Sequence, residues 1–214
     1  MSVQSNLELL IGTGNQGKIR EIQLAFHDLP LKLRLLEEFP NISTPEESGD
    51  TYAENAIIKA QSYADQTGLL ALADDSGIEV AALNGDPGVR SARFGGGGMS
   101  DADRTRLLLA KLDGTENAER AAEFICVVAI AQPGRGVINL ERGTCPGTIA
   151  REPNGEGGFG YDPVFIPDGY QLTFGQLPNS LKNQISHRAK ALIATRRFFA
   201  ESRSGNLTLS VPDS

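Results

Sequence analysis

Asp74 and Asp75 close an apolar run, LALADDSG, from Leu70 to Gly77. Ionised groups at the edge of a core must be hydrated, paired or metal-bound. A carboxylate fixed at the end of a strand suits a metal ligand or a general base. A second acidic pair, Glu46 and Glu47, stands in PEESG. Magnesium takes one or two protein carboxylates, keeps several waters and completes its shell with substrate phosphates, so either pair could serve a phosphorylated substrate. Each also fits a plainer role: Glu46 and Glu47 as a solvated turn, Asp74 and Asp75 as turn and cap residues.

A glycine turn near the N-terminus points to the same substrate class. Gly12, Gly14 and Gly17 spell G-x-G-x-x-G, and Glu37 follows at about the spacing of a ribose-binding acid, as in dinucleotide sites. With Lys18 the same residues spell G-x-x-x-x-G-K, but Ile19 stands where a P-loop needs a hydroxyl for magnesium. What both motifs share is an anion site of backbone N–H groups at a helix start, here reinforced by the Lys18 charge. The turn indicates phosphate without specifying which phosphate compound.

The elements that must carry these groups follow from periodicity. NLELLIGTGNQGKIREIQLAFHDL reads as strand, glycine turn and a helix opened by Gly17, with Ile19, Ile22, Phe26 and Leu29 on its apolar face. LKLRLLEEF is the next strand. Thr51 to Glu54 has the form of a capping box, starting a helix with Ala53, Ala56, Ile57 and Ala60 inward and Gly68 at its end. After the strand that ends in the aspartates, NGDPGVRSARFGGGGMSD is a long loop, and Ser100 caps a third helix closing near Gly114. AEFICVVAIA and GVINLERGTC form a hairpin around QPGRG, GFGYDPVFIP is extended, and SHRAKALIATRRFFAES is a last helix. Early alternation of strands and helices, then local strand pairing, predicts an α/β protein with a mixed sheet flanked by helices. A single domain over 1–203, open to a two-lobed form, is expected, with 204–214 as a loose tail.

Composition narrows the class. At 40% hydrophobic and 22% charged residues, the chain is that of a soluble globular protein. No run is long enough to span a membrane and no signal-peptide apolar region opens the sequence. The net charge of −7 argues against a nucleic-acid-coating surface. Cys126 and Cys145 form no disulfide framework and read as reduced residues of a cytoplasmic protein. Two other classes fit parts of the pattern. A nicotinamide-dependent oxidoreductase uses the glycine turn and Glu37 but leaves Lys18 and DDSG idle; a non-catalytic nucleotide sensor has no need of a base and a metal site.

Six motifs occur in order: TGNQGKIREI, EESGDTYAENAIIKA, ADDSGIEV, PGVRSARF, GFGYDPVF and KNQISHRAKAL. Together they resemble the inosine triphosphate pyrophosphatase family over about Leu7 to Leu192. Those enzymes remove inosine, xanthosine and deoxyinosine triphosphates from the nucleotide pool. The resemblance implies an elongated mixed α/β fold, a homodimer, and Mg2+-dependent hydrolysis to the monophosphate and pyrophosphate. It implies that Thr13, Gly14, Asn15, Gln16, Gly17 and Lys18 cradle the phosphates with help from Lys59. Glu47 and Asp75 look like the metal carboxylates, and Asp75 also like the base for the attacking water. Ser76 would contact substrate. Phe159, Gly160, Tyr161 and Asp162, with Lys182, His187 and Arg188, look like the nucleobase pocket. Lys182 and Arg188 are donors suited to a 6-keto oxygen, which hypoxanthine and xanthine have and adenine lacks. Where many members carry acidic residues just before this lysine, the chain has Ser180 and Leu181, so Lys182 is expected to lose carboxylate neighbours.

Overall fold

A computed structural model describes residues 7–116 and 119–201; the stretch 204–214, expected as a tail, lies outside them. Six strands form one mixed sheet in the order β2-β1-β3-β4-β5-β6. They are β1 (Leu7–Ile11), β2 (Leu31–Leu35), β3 (Leu70–Val80), β4 (Ala121–Gln132), β5 (Gly136–Ile149) and β6 (Phe165–Pro167). β1 pairs in parallel with both β2 and β3, whereas β5 and β6 are antiparallel. The helices are α1 (Gln16–Phe26), α2 (Tyr52–Thr67), α3 (Asp101–Lys111), α4 (Asn179–Ile185) and α5 (His187–Glu201). The chain divides into two compact units. The first takes in the described residues of Met1–Asp75, Val127–Glu141 and Ala191–Ser214; the second takes in those of Ser76–Cys126 and Arg142–Lys190.

In the first unit, Leu9, Leu10, Ile11, Ile22 and Leu72 are completely buried, each worth roughly 1.5–3 kcal/mol relative to exposure. The rings of Phe26 and Phe199 meet edge to face with centroids 5.9 Å apart. Gly12 is fixed by crowding: an added Cβ would lie 2.7 Å from Tyr63 Cδ2 and 3.0 Å from the Leu72 carbonyl oxygen. Gly14 has open space around it. In the second unit, Ile78, Val80, Leu108, Phe124, Phe165 and Phe174 belong to one apolar cluster.

Several elements differ from expectation. α1 starts one residue before Gly17 because Asn15 is the N-cap, its side chain accepting from the Lys18 N–H. The second strand stops at Leu35, since the Glu38 carboxylate takes the Leu35 N–H and turns the next residues into a 3-10 turn. α2 has the expected capping box and ends at Gly68 in the left-handed region (φ 70). Its buried face is rotated, however. Asn55 and Lys59 are buried, while Ala53 and Ile57 are only partly so.

The largest correction concerns the strand thought to end in Asp74 and Asp75. β3 continues through both to Val80, because each carboxylate meets a lysine delivered by a helix. The loop after it contains a 3-10 stretch at Gly88–Arg93. GFGYDPVFIP is extended only over Phe165–Pro167. Before that, Gly158 and Gly160 adopt positive φ and the Asp162 side chain accepts the Phe159 N–H, which closes a turn. α4, which carries Lys182, is an additional helix. α3 and α5 occupy the expected segments.

Candidate active site

The first group of candidate residues gathers around β3 within the first unit. Side chains alternate along a strand, so adjacent aspartates serve different partners. Asp74, with a fully buried side chain, holds the Lys18 ammonium at 3.0 Å. Asp75 holds Lys59 Nζ at 3.1 Å, and the same ammonium donates to Glu47 Oε1 at 2.5 Å. Lys59 is therefore shared by two carboxylates. Glu47 is half-buried whereas its neighbour Glu46 is exposed, which selects Glu47 from the acidic turn.

Asn55 ties this arrangement together. Its Oδ1 accepts from the Gly49 N–H at 2.8 Å, and its Nδ2 donates to the Gly49 carbonyl at 3.2 Å. The same Nδ2 lies 3.4 Å from Asp75 Oδ2. An added Cβ at Gly49 would meet the Asn55 Oδ1 at 2.9 Å, so a glycine is required where the acidic turn docks on α2. Asn55 and Lys59 stand four residues apart on one helix face. A polar pair on the otherwise apolar inward face of α2 was the available sign that Asn55 belongs here.

Burial is the strongest influence on Asp75 and raises its pKa above the usual carboxylate value, against the opposing charges of Lys59 and Lys18. Burial also works against the charge of Lys59, but Asp75, Asp74 and Glu47 outweigh it and hold the ammonium above the ordinary lysine value. Asp75 thus combines a fixed position with raised basicity, the properties of a general base. The carboxylates of Glu47 and Asp75 are hard oxygen donors already converging on one positive charge, and this donor set fits magnesium. Among the described residues no group of three or more His, Cys, Asp or Glu side chains is gathered as a metal cage.

The glycine turn lies at the start of α1. Gly14, Asn15 and Gln16 are exposed, Thr13 and Lys18 partly buried, and Gly17 buried. Thr13 Oγ1 accepts from the Asn15 N–H at 3.2 Å, and Asn15 Oδ1 accepts from the Lys18 N–H at 3.0 Å. With Lys18 N–H capped, the open donors of this helix start are those of Gln16 and Gly17. Glu37 is exposed in the 3-10 turn after β2.

The second group lies within the second unit. Lys182 is buried, and its ammonium contacts Asp162 Oδ2 at 2.5 Å. The carboxylate expected to be missing next to Lys182 in sequence is thus supplied from a distant segment. The same Asp162 oxygen accepts the Phe159 N–H at 2.8 Å. Lys182 Nζ lies 4.5 Å from the Phe159 ring centroid, and the Arg188 guanidinium 5.6 Å from it. Arg188 donates to Ser76 Oγ at 2.8 Å. His187, at the start of α5, stacks on Phe124 with centroids 4.5 Å apart. The Tyr161 hydroxyl is turned away into a bond to the Ser91 carbonyl at 2.9 Å. Gly160 bonds to α3, a contact with no local signature in the sequence: its N–H donates to Asp101 Oδ2 at 2.9 Å.

Residues 9–198 match the model of the Ham1 family. A dITP/XTP pyrophosphatase of Desulforamulus reducens is 47% identical over 87% of this chain and 92% of the relative. Among solved structures, a HAM1 protein from Coxiella burnetii superposes with a TM-score of 0.83 and 42% identity, covering 91% of this chain and 99% of the other. The Ham1 protein of Staphylococcus aureus gives 0.80 and 39%, with the same coverage. No helix among the described residues is long and apolar enough to cross a membrane.

Proposed function

From the premise that this chain belongs to the Ham1 family, we propose that it hydrolyses nonstandard purine nucleoside triphosphates, dITP, XTP and ITP, to the monophosphate and pyrophosphate. Its role would be to keep these nucleotides out of nucleic acid, as a cytoplasmic homodimer. The geometric observation that carries the chemistry is the Lys59 ammonium shared by Glu47 and Asp75 at 2.5 and 3.1 Å. A buried cation beside two carboxylates, one of them with a pKa raised by burial, is the kind of perturbed cluster that marks functional sites.

Lys18 and the amides of Gln16 and Gly17 bind the phosphate chain, and Lys59 adds positive charge where negative charge develops. Asp75 accepts a proton from the attacking water, whose oxygen bonds to the α-phosphorus as the bond to pyrophosphate breaks, or to the β-phosphorus as the bond to the monophosphate breaks. Glu47 and Asp75 would hold Mg2+, which when bound offsets phosphate charge and orients the phosphoryl group. Phe159 offers a ring to the base, and Lys182 and Arg188 favour a keto oxygen over an amino group at position 6. A site that leaves buried donors unpaired against the wrong base can discriminate by up to roughly 10⁴-fold.

The test is a panel of ITP, dITP, XTP, ATP and GTP with Mg2+ or with chelator, run in ¹⁸O-labelled water. Pyrophosphate as the co-product, with label in the monophosphate or in pyrophosphate, is expected from the keto-purine substrates in the presence of metal. Label in orthophosphate with a nucleoside diphosphate as co-product refutes the reaction, and equal rates for ATP and ITP refute the base reading.

A further inference from the structure

We propose that Asp101, at the start of α3, is a positioning residue that sets base selectivity by holding the loop Phe159–Asp162; this rests on the assignment of that loop to the nucleobase. The geometry centres on Gly160, whose φ of 61 lies in the left-handed region. Both of its backbone polar groups face α3. The N–H donates to Asp101 Oδ2 at 2.9 Å, and the carbonyl accepts from Thr105 Oγ1 at 3.4 Å. Asp101 and Thr105 are four residues apart and so share a helix face.

The carboxylate that holds Gly160 is itself oriented. Its other oxygen accepts from Arg104 Nη2 at 2.8 Å, while Arg104 Nη1 donates to the Met99 carbonyl at 2.6 Å. The start of α3 is set by Ser100, which accepts the Asp103 N–H in a capping box. The chain reaches that cap through Gly95, Gly96 and Gly98, all at positive φ. These three belong to the run of four glycines, 95–98, that leads into the cap.

The Phe159 ring, unlike a polar side chain, has no hydrogen bond of its own to fix it. Its place beside Lys182 and Arg188 depends on the backbone of 158–162. That backbone is braced from within by Asp162, at Tyr161 by the Ser91 carbonyl, and at Gly160 by Asp101. Asp101, with the longer Thr105 contact beside it, braces the residue next to the ring from outside the loop.

Two variants separate positioning from bulk stability. Asp101→Ala removes the acceptor for Gly160. Asp101→Asn keeps an amide oxygen for that N–H but loses the negative charge toward Arg104 and the helix N-terminus. Asp101→Ala is expected to raise KM for ITP roughly fivefold, a single charge-assisted hydrogen bond tempered by half-exposure, with kcat within about twofold and a lower ITP-to-ATP efficiency ratio. Asp101→Asn should retain the native ratio and a KM within about twofold of native, even if its melting temperature falls like that of the alanine variant. A native ratio in Asp101→Ala, or equal impairment of both variants, overturns the inference. If Asp101→Ala does not fold, Thr105→Val decides: it should lower the ratio to a lesser degree, and an unchanged ratio overturns the inference. A native enzyme with no preference for ITP would instead overturn the base assignment itself.

Discussion

Replacing Lys59 by methionine keeps most of the aliphatic stem and deletes the charge shared by Glu47 and Asp75. The side chain of Lys59 is 10% exposed, that of Asp75 8% and that of Glu47 29%. Removing one partner of a buried ion pair leaves the other charge uncompensated and costs about 3–5 kcal/mol. The lower end applies here, because Glu47 can turn toward water while Asp75 cannot. For a domain of this size, about 3 kcal/mol corresponds to a melting temperature lower by about 6–12 °C. Adding Asp75→Asn to Lys59→Met removes the stranded charge, so the double variant should melt above the single one, a coupling that a double-mutant cycle reads directly. Millimolar Mg2+ should raise the melting temperature of Lys59→Met more than that of the native protein, by binding the folded carboxylate pair. Thermal denaturation at pH 7, with and without Mg2+, measures all of this. A Lys59→Met protein that melts within about 2 °C of native, or one that Asp75→Asn destabilises further, refutes the view that Lys59 neutralises these two carboxylates.

Asp75→Asn alone should still fold, at reduced stability, because Glu47 continues to pair with Lys59, and should lose about 10²–10⁴-fold in turnover, the usual cost of removing a general base; near-native steady-state rates would take Asp75 out of the mechanism. Asp28, whose strongest influence is the hydrogen bond from Arg196, has its pKa lowered to about 2. That contribution to stability is present above the ordinary carboxylate value and is lost as pH falls toward about 2. Urea midpoints of native and Arg196→Gln proteins should therefore differ at pH 7 and draw together toward pH 3, and a constant gap would contradict the pairing. Burial pushes the Cys145 thiol up to about 11, so at pH 8 iodoacetamide should alkylate it far more slowly than a free thiol in solution; mass spectrometry showing rapid labelling of folded protein would place that thiol at the surface.

The parts legible in the sequence were those set by neighbours along the chain. Thr51 and Glu54 announce the start of α2, and Gly68 its end, because capping is a matter of three or four residues. Asp75 stood out because a charge inside an apolar run always asks for a partner. Its partners were less visible. Lys59 lies sixteen residues away in contact with it, and nothing local says that α2 turns this lysine inward in place of Ile57. The same limit hid Asp74, whose partner Lys18 comes from α1, and made the pair read as the end of a strand that in fact continues. Lys182 drew attention for the acidic residues absent beside it, while its carboxylate, Asp162, arrives from twenty residues upstream. The contact of Asp101 with Gly160 spans an even longer separation and leaves no periodic trace.

The register of β3 has a consequence for how this chain can change length. Leu70 and Leu72 pair with Leu9 and Ile11, and the two aspartates follow within the same strand. Because a shift of one residue sends every side chain to the opposite face, inserting or deleting a single residue between Leu72 and Asp74 would offer Lys18 and Lys59 the wrong carboxylates. A change of two would restore the faces but move both acids along the strand. The segment therefore obeys a parity rule that loops do not, and indels tolerated elsewhere should be purged here by loss of turnover even when the protein still folds.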